Sequence, residues 1–300
     1  MLRIESDMNT IQDIFRKGRA LLHGVANSAV EAKVLLLLAT GMSEAEFLAS
    51  PGMPLSKGKE RRFLRLIERR LSGVPLAYIT GKKEFWSQTF KVGPGVFIPR
   101  PETELIVEKV LELSGGGEET IADIGTGSGN IAVALAKELP RAHIIATDLS
   151  AKALKIAQFN AKMSQVENIT FVAGNLFAPL IRLNLEQKCD FIVSNPPYVA
   201  AGDWEGLAGE VRNCEPRRAL VAGKGGLEFI RRLVNGAPAY LKPGGYLVFE
   251  IGEGQADAAL ALFDDRWVNP QAAVDLRGIP RVAIARYYYG LGLRLSRRNH

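Results

Sequence analysis

From residue 120 the chain alternates short apolar runs with stretches of helical spacing. This alternation constrains its fold more than any other feature. The runs are TIADI, HIIATD, ITFVAG, CDFIVS and GYLVFEI, and helices are predicted near 129–138, 151–163 and 226–241. Short strands this uniformly apolar are covered on both faces, so the pattern predicts an α/β fold with a mostly parallel sheet between helices. LSGGGEE (113–119) is the flexible-looking spacer before the first strand.

Ahead of this region the periodicity is helical. IQDIFRKGRALLHG carries Ile11, Ile14, Phe15, Leu21 and Leu22 at helical spacing, and SAVEAKVLLLLAT follows. In SEAEFLA, Ser43 with Glu46 three residues on is a capping box. KERRFLRLIERRLSG places Phe63, Leu64, Ile67 and Leu71 on one face and closes on Gly73. PLAYITGKKEFWSQTFKV then reads as a β-hairpin over about 83–92. PRPETELIVEKVLEL opens a helix with Pro101 near its first position. The expected domains are a helical one over 1–74, a hairpin linker over 75–94 and an α/β domain over 95–300.

Charge is uneven. Residues 1–90 carry 14 basic and 9 acidic side chains, residues 266–300 carry 7 and 1, and the 175 between them carry 17 and 22. The net charge of +6 therefore sits at the two ends, densest in KGKERRFLRLIERR (57–70) and RLSRRNH (294–300). These are either solvated surface or a face for an anionic partner. Cys189 and Cys214 lack zinc-finger spacing and no histidine cluster joins them, which fits reduced thiols in the cytoplasm. MLRIESDMNTIQD has no apolar signal core, and no uncharged run reaches the ~18 residues of a membrane span.

IADIGTGSGNIAVALA sets Gly125, Gly127 and Gly129 directly after a strand and at the opening of a helix. The spacing is not the dinucleotide fingerprint, and no Gly-Lys-Ser/Thr follows to make a phosphate loop of the Walker type. Asp148 closes the next strand, where a carboxylate can accept from both ribose hydroxyls. Its lesser alternative is a structural one, capping the next helix, as Ser150 could. Asp123 could bond loop N–H groups or a ligand ammonium. Together with NPPY at 195–198, the loop and the acid point to S-adenosyl-L-methionine rather than a nicotinamide cofactor.

IVSNPPYVA (192–200) ends a buried strand on two prolines, which have no N–H to continue a ladder. Asn195 and the Pro196 carbonyl offer acceptors, and Tyr198 offers a flat ring. The set suits a planar amide or an aromatic amine whose two N–H groups need fixed acceptors. Orientation toward an already activated methyl donor would then be the main catalytic task. None of the three histidines falls in a candidate motif, and no metal is expected.

The chain closely resembles the release factor glutamine methyltransferases. The resemblance rests on RRLSGVPLAYITGKKEFW, GVFIPRPETELIVE, DIGTGSGNIAVALA, SNPPYV, EVRNCEPRRALVAGKGGLEFIRRLV and LKPGGYLVFEIGEGQ, and it covers nearly the whole chain. It implies a Rossmann-like class I methyltransferase sheet of seven strands, the last antiparallel, behind a helical substrate-docking domain. It also implies methylation of the side-chain amide (N5) of glutamine in the Gly-Gly-Gln motif of class I peptide chain release factors, with S-adenosyl-L-homocysteine as the product. On that resemblance Gly125, Thr126, Gly127, Ser128 and Gly129 wrap the cofactor, Asp148 holds its ribose, and Leu176 lies by the adenine. Asn195 touches cofactor and substrate, and Asn195, Pro196, Pro197 and Tyr198 hold the glutamine amide. Phe97, Pro99, Arg100 and Glu104 would lie near the pocket mouth. Asn175 stands where the family usually has Asp, and the tail is longer than usual. A monomer is expected, needing neither nucleic acid nor membrane. The alternatives are a nucleic-acid amino-methyltransferase, disfavoured because no large recognition domain follows the core, and a non-catalytic module.

Overall fold

The computed structural model describes residues 9–288. The chain forms two compact units, Met1–Gly81 with Gly209–Cys214, and Lys82–Ala208 with Glu215–His300. The charged tail 294–300 lies outside the described residues.

The first unit contains the helices Ile11–Leu21, Ser28–Thr40, Glu44–Ala49, Lys57–Leu71 and Leu76–Thr80. Ser43 and Glu46 form the expected capping box, and Thr10 with Asp13 forms another. Ile11, Ile14, Leu35, Phe63 and Ile67 are buried together in the core. A Cβ on Gly18 would stand 2.3 Å from the Phe63 ring, so only glycine lets these two helices close there. Leu71, read from the sequence as part of the apolar face, is 51% exposed. It occupies the last turn, where the chain leaves at Ser72.

After Pro75 the chain remains helical for one more turn, and Ile79 joins the same core. The division between units consequently falls after Gly81 and not at 74. Arg70 is nearly buried and pairs with Glu31 at 2.6 Å and with Glu210 at 2.9 Å. It is an internal cation of this unit, unlike the exposed Arg61, Arg62 and Arg69 on the same helix.

In the second unit, β1 (Lys82–Phe85) and β2 (Gln88–Lys91) form the expected hairpin. Its turn is at Trp86 and Ser87, with φ of 49° and 53°. Neither residue is a usual left-handed turn former.

The main sheet contains β3 (Thr120–Ile124), β4 (His143–Asp148), β5 (Ile169–Ala173), β6 (Cys189–Ser194), β7 (Leu241–Glu250), β8 (Trp267–Val274) and β9 (Pro280–Tyr287). Its order is β5-β4-β3-β6-β7-β9-β8. β3 to β7 run parallel, and β9 inserts antiparallel to both β7 and β8. Strand residues alternate between two cores. Ile121, Phe191, Val193 and Val248 face the helices 104–113 and 130–138, while Ala122, Ile192, Leu247 and Phe249 face the helix 228–236. The helix predicted over 226–241 is shorter, Glu228–Gly236, because Pro238 turns the chain into a 3-10 segment before β7.

The strand order reverses between β4 and β6, on either side of β3. In a sheet of this kind that crevice, at the carboxyl ends of the strands, is where ligands bind. The glycine loop leaves β3 there, Asp148 closes β4, and Asn195 follows β6.

Candidate functional site

The loop after β3 is built from backbone. Gly125, Gly127 and Gly129 have φ of 80°, 57° and 81°, where a side chain is strained. The N–H groups of Gly125 and Thr126 donate to the Thr147 carbonyl at 2.9 and 2.8 Å, pinning the loop to the end of β4. Gly129 is not part of the cavity wall. A Cβ there would lie 2.9 Å from that of Ala157, so this glycine permits close packing on the helix 151–163. Buried Asn160 ties the hairpin to the loop. Its Nδ2 donates to the carbonyls of Ser128 and Lys91, and its Oδ1 accepts from the Lys91 N–H.

Asp148 Oδ2 accepts from the Gly127 N–H at 2.9 Å, and Oδ1 accepts from the Ser150 N–H at 2.7 Å. The carboxylate therefore shapes both the loop and the next helix start, though Ser150 is the helix cap itself. A carboxylate has about four acceptor sites, so two remain after these bonds. Asp123 is fully buried with no hydrogen-bond partner on either oxygen. Burial pushes its pKa up to about 7, and the Asp148 charge adds to this. The Thr126 hydroxyl and the Ala132 N–H lie close enough to pull it partly back, without completing a bond.

A cavity of about 460 Å³ opens beside the loop. Gly125, Thr126, Gly127, Ser128, Asp148, Leu176, Asn195, Pro196 and Pro197 all reach its wall. Leu176 holds a left-handed φ of 48°, a conformation a branched residue adopts only when its surroundings enforce it. Asn175 lines the cavity beside it. The far wall comes from residues 216–232, including Arg218, Phe229 and Arg232. Arg218 donates to Ser150 Oγ at 3.0 Å. Nothing local in the sequence of that wall marks a pocket.

Of Phe97, Pro99, Arg100 and Glu104, only Phe97 lines the cavity. Glu104 accepts from the Trp86 N–H at 2.7 Å, bracing the hairpin. Arg100 pairs with buried Glu215, whose other oxygen accepts from the Ile98 N–H at 3.0 Å. Glu215 thus fastens the 95–104 segment to the 215–220 segment.

Tyr198 also departs from expectation, since it does not line the cavity. Its hydroxyl donates to Glu250 at 3.0 Å. Burial raises its pKa, and Glu250 beside it raises it further, so the phenol stays protonated. Its carbonyl accepts from Gln255 Nε2 at 2.9 Å, and its N–H donates to the Leu220 carbonyl. A Cβ on Gly226 would stand 2.5 Å from the Tyr198 carbonyl oxygen, so the GKGG turn can close on this loop only with glycine.

Asn195 Nδ2 donates to Thr103 Oγ1 at 3.0 Å, and Thr103 donates to Glu250. Sequence reasoning missed Thr103, Glu250 and Gln255. Glu250 did carry a signal: it is a lone acid at the end of the apolar run YLVF.

The chemistry of the donor set fits a nucleoside with a short cationic tail. The loop has no lysine for phosphate, Asp148 keeps acceptors for a diol, and Asp123 is an unpartnered buried acid at the same strand end. Among the described residues, no group of three or more His, Cys, Asp or Glu could hold a metal ion. No helix among them is long and apolar enough to cross a membrane.

Comparison with known proteins adds the family. The model described as Methyltransferase small domain matches residues 88–220, and that described as PrmC N-terminal domain matches residues 13–81. A release factor glutamine methyltransferase of Moorella thermoacetica is 44% identical over 266 residues, 87% of this chain and 92% of the relative. The chain belongs to the release factor glutamine methyltransferase family. A second such relative, from Geobacter sulfurreducens, is 42% identical over 86% of this chain and 89% of its own length. Among solved structures, the hMettl16 catalytic domain in complex with MAT2A 3'UTR hairpin 6 is 18% identical, with a TM-score of 0.54 over 77% of this chain and 82% of that one. At that identity the likeness concerns the fold alone.

Proposed function

We propose that this chain methylates the side-chain amide nitrogen, N5, of the glutamine in the Gly-Gly-Gln motif of class I peptide chain release factors, using S-adenosyl-L-methionine. The observation that carries the reading is that Asn195 and Pro196 share one cavity with the glycine loop and Asp148, in a chain of this family. When bound, the cofactor supplies an electrophilic methyl group and leaves as S-adenosyl-L-homocysteine.

The residues divide the work. Gly125 to Ser128 lie against the cofactor through backbone, with Gly129 supporting them from behind. Asp148 accepts from the ribose hydroxyls with its two remaining sites, and Leu176 packs by the adenine. Asp123 is buried behind the cavity wall at the end of β3, and it acts on the cationic end through its charge alone. Asn195 and the Pro196 carbonyl accept the two amide N–H groups of the substrate glutamine. Pro197 stiffens that turn, and Tyr198 holds it from behind.

An amide nitrogen is a poor nucleophile because its lone pair is delocalised into the carbonyl. Two fixed acceptors on its N–H groups favour the positive charge that develops as it attacks. One of those protons then passes to solvent, and the neutral methylamide remains. Orientation supplies the rest of the rate. The helical unit docks the release factor, with Arg61, Arg62 and Arg69 as its basic face. Action on a translation factor supports a cytoplasmic location, and a monomer suffices for this chemistry.

The test supplies labelled methyl donor with release factor, with the same factor carrying Gln→Ala in its Gly-Gly-Gln, and with DNA or RNA. Label is expected only in the unmodified factor. Label confined to nucleic acid would overturn the reading in favour of an amino-methyltransferase acting on bases.

A further inference from the structure

We infer that Glu250, acting through Thr103, is a positioning residue that fixes which end of the Asn195 side-chain amide faces the substrate. The inference rests on the glutamine reading above and deepens it. Thr103 and Glu250 are both buried, at 1% and 2% exposure, and neither lines the cavity. Of their hydrogen-bond partners only Asn195 lines it, so they act on the substrate through Asn195.

The direction of each bond follows from counting protons. An ionised carboxylate only accepts. Thr103 has one hydroxyl proton and donates it to Glu250 Oε2. With that proton committed, Thr103 Oγ1 faces Asn195 purely as an acceptor. The Asn195 amide must then turn its Nδ2 to Thr103, at 3.0 Å, which leaves Oδ1 as the end available to the cavity. The flipped amide would set Oδ1 against Oγ1 with no proton between them. Oδ1 is also the atom an amide N–H requires. The other oxygen of Glu250 accepts from Tyr198, whose carbonyl is clamped by Gln255. One buried carboxylate thus sets both ends of the Asn195–Tyr198 turn.

The surroundings make its charge conditional. Burial pushes the Glu250 pKa up to about 7. The Thr103 and Tyr198 hydroxyls pull it down, Glu102 on the same 3-10 turn pushes it up, and Arg281 on β9 pulls it down. Arg281 is shared with Glu253 at 3.0 Å and Asp275 at 3.3 Å, so its charge is largely answered elsewhere. Arg100, before the 3-10 turn, is paired with Glu215. Once protonated, Glu250 offers a hydrogen to one of its two hydroxyl partners. The proton count no longer specifies the amide, and turnover should fall as pH drops through about 7.

The experiment measures kcat and KM for the release factor at saturating S-adenosyl-L-methionine from about pH 6 to about pH 9, for wild type, Glu250→Gln, Thr103→Val and Thr103→Ser. Binding of S-adenosyl-L-homocysteine by calorimetry checks that each variant retains its cofactor cavity. We expect a wild-type acidic limb in kcat that Glu250→Gln flattens. Thr103→Val should lower kcat about tenfold to a hundredfold with little change in KM, and Thr103→Ser should restore it. An acidic limb that persists in Glu250→Gln would assign it to another group, such as Asp123, and overturn the inference. Near-normal kcat in Thr103→Val would also overturn it, and that result stands even if Glu250→Gln fails to fold. Wild-type enzyme that methylates the glutamine without any acidic limb sinks the inference alone. Absence of glutamine methylation by wild type sinks the functional reading, and the inference with it.

Discussion

The two rims of the cavity are made in opposite ways. The glycine loop takes its shape from main chain: three left-handed glycines, two N–H groups on the Thr147 carbonyl and one on Asp148. The turn after β6 takes its shape from side chains, in a chain of bonds from Asn195 through Thr103 and Glu250 to Tyr198. Backbone geometry responds to any added Cβ but is indifferent to most other side-chain chemistry. A side-chain relay responds to a single functional group or a single proton. The cofactor side should accordingly fail through stability and affinity, and the substrate side through turnover.

The largest effect expected from this contrast is at Asn195. Asn195→Ala should lower kcat about 10²- to 10³-fold, the order seen when one preorganised polar group is removed from a transition state. Thermal unfolding should move little. Turnover within a few-fold of wild type would remove Asn195 from its assigned role.

Stability should separate the glycines next. Gly127→Ala has a left-handed φ but nothing closer than 4.0 Å, so it should cost about 1–2 kcal/mol. Gly129→Ala adds a 2.9 Å clash with Ala157 to the same kind of strain and should cost clearly more. Chemical denaturation of the two variants checks the order, and equal losses would mean that the clash is relieved by a small helix shift.

Asp148→Ala removes the acceptor for the Gly127 and Ser150 N–H groups as well as for the ribose. Affinity for S-adenosyl-L-homocysteine should drop about tenfold to a hundredfold in calorimetry. Unchanged affinity would reduce Asp148 to a loop brace.

Each rim also holds one buried acid, and these give a pH signature. Asp123 and Glu250 have native pKa values raised to about 7, from 3.8 and 4.5. Between those limits the folded protein keeps protons that the unfolded chain has released. The associated stability is fully present below about pH 4 and is lost as pH rises through about 7. The Tm of the ligand-free protein should fall from about pH 5 to about pH 8, and Asp123→Asn should lessen that slope. A Tm that instead rises over this range would contradict both assignments.

The smallest effect is expected away from both rims. Neutralising Arg61, Arg62 and Arg69 should weaken release-factor binding at low salt and hardly at all at high salt, as exposed charges are screened. Arg70 is left out because its pairing with Glu31 and Glu210 makes it part of the fold. If affinity at low salt is unchanged, the basic face is only solvated surface.

Much of the fold was legible in the sequence for physical reasons. Each strand from β3 to β7 announces itself by an apolar run, and the period-2 split between Ile192 and Val193 sends them into different cores. The glycine loop is legible because glycine adopts those φ values without strain. The wall at 216–232 was not legible, since it uses residues with no special local preference.

By itself the sequence determined the alternation that forces a covered parallel sheet, the strand-to-helix glycine loop, and the rigid Asn-Pro-Pro-Tyr exit. Those are local matters of side-chain period, backbone freedom and missing N–H groups. Only the tertiary structure decided that Gly129 serves packing, that Tyr198 turns away from the cavity, and that Thr103 and Glu250 stand behind Asn195. Thr103 is 92 positions from Asn195, and Glu250 is 52 from Tyr198. No local pattern can encode a partner at that separation. It exists because β6 pairs with β7 and the 3-10 turn at 101–103 brings Thr103 to within hydrogen-bonding reach of both side chains.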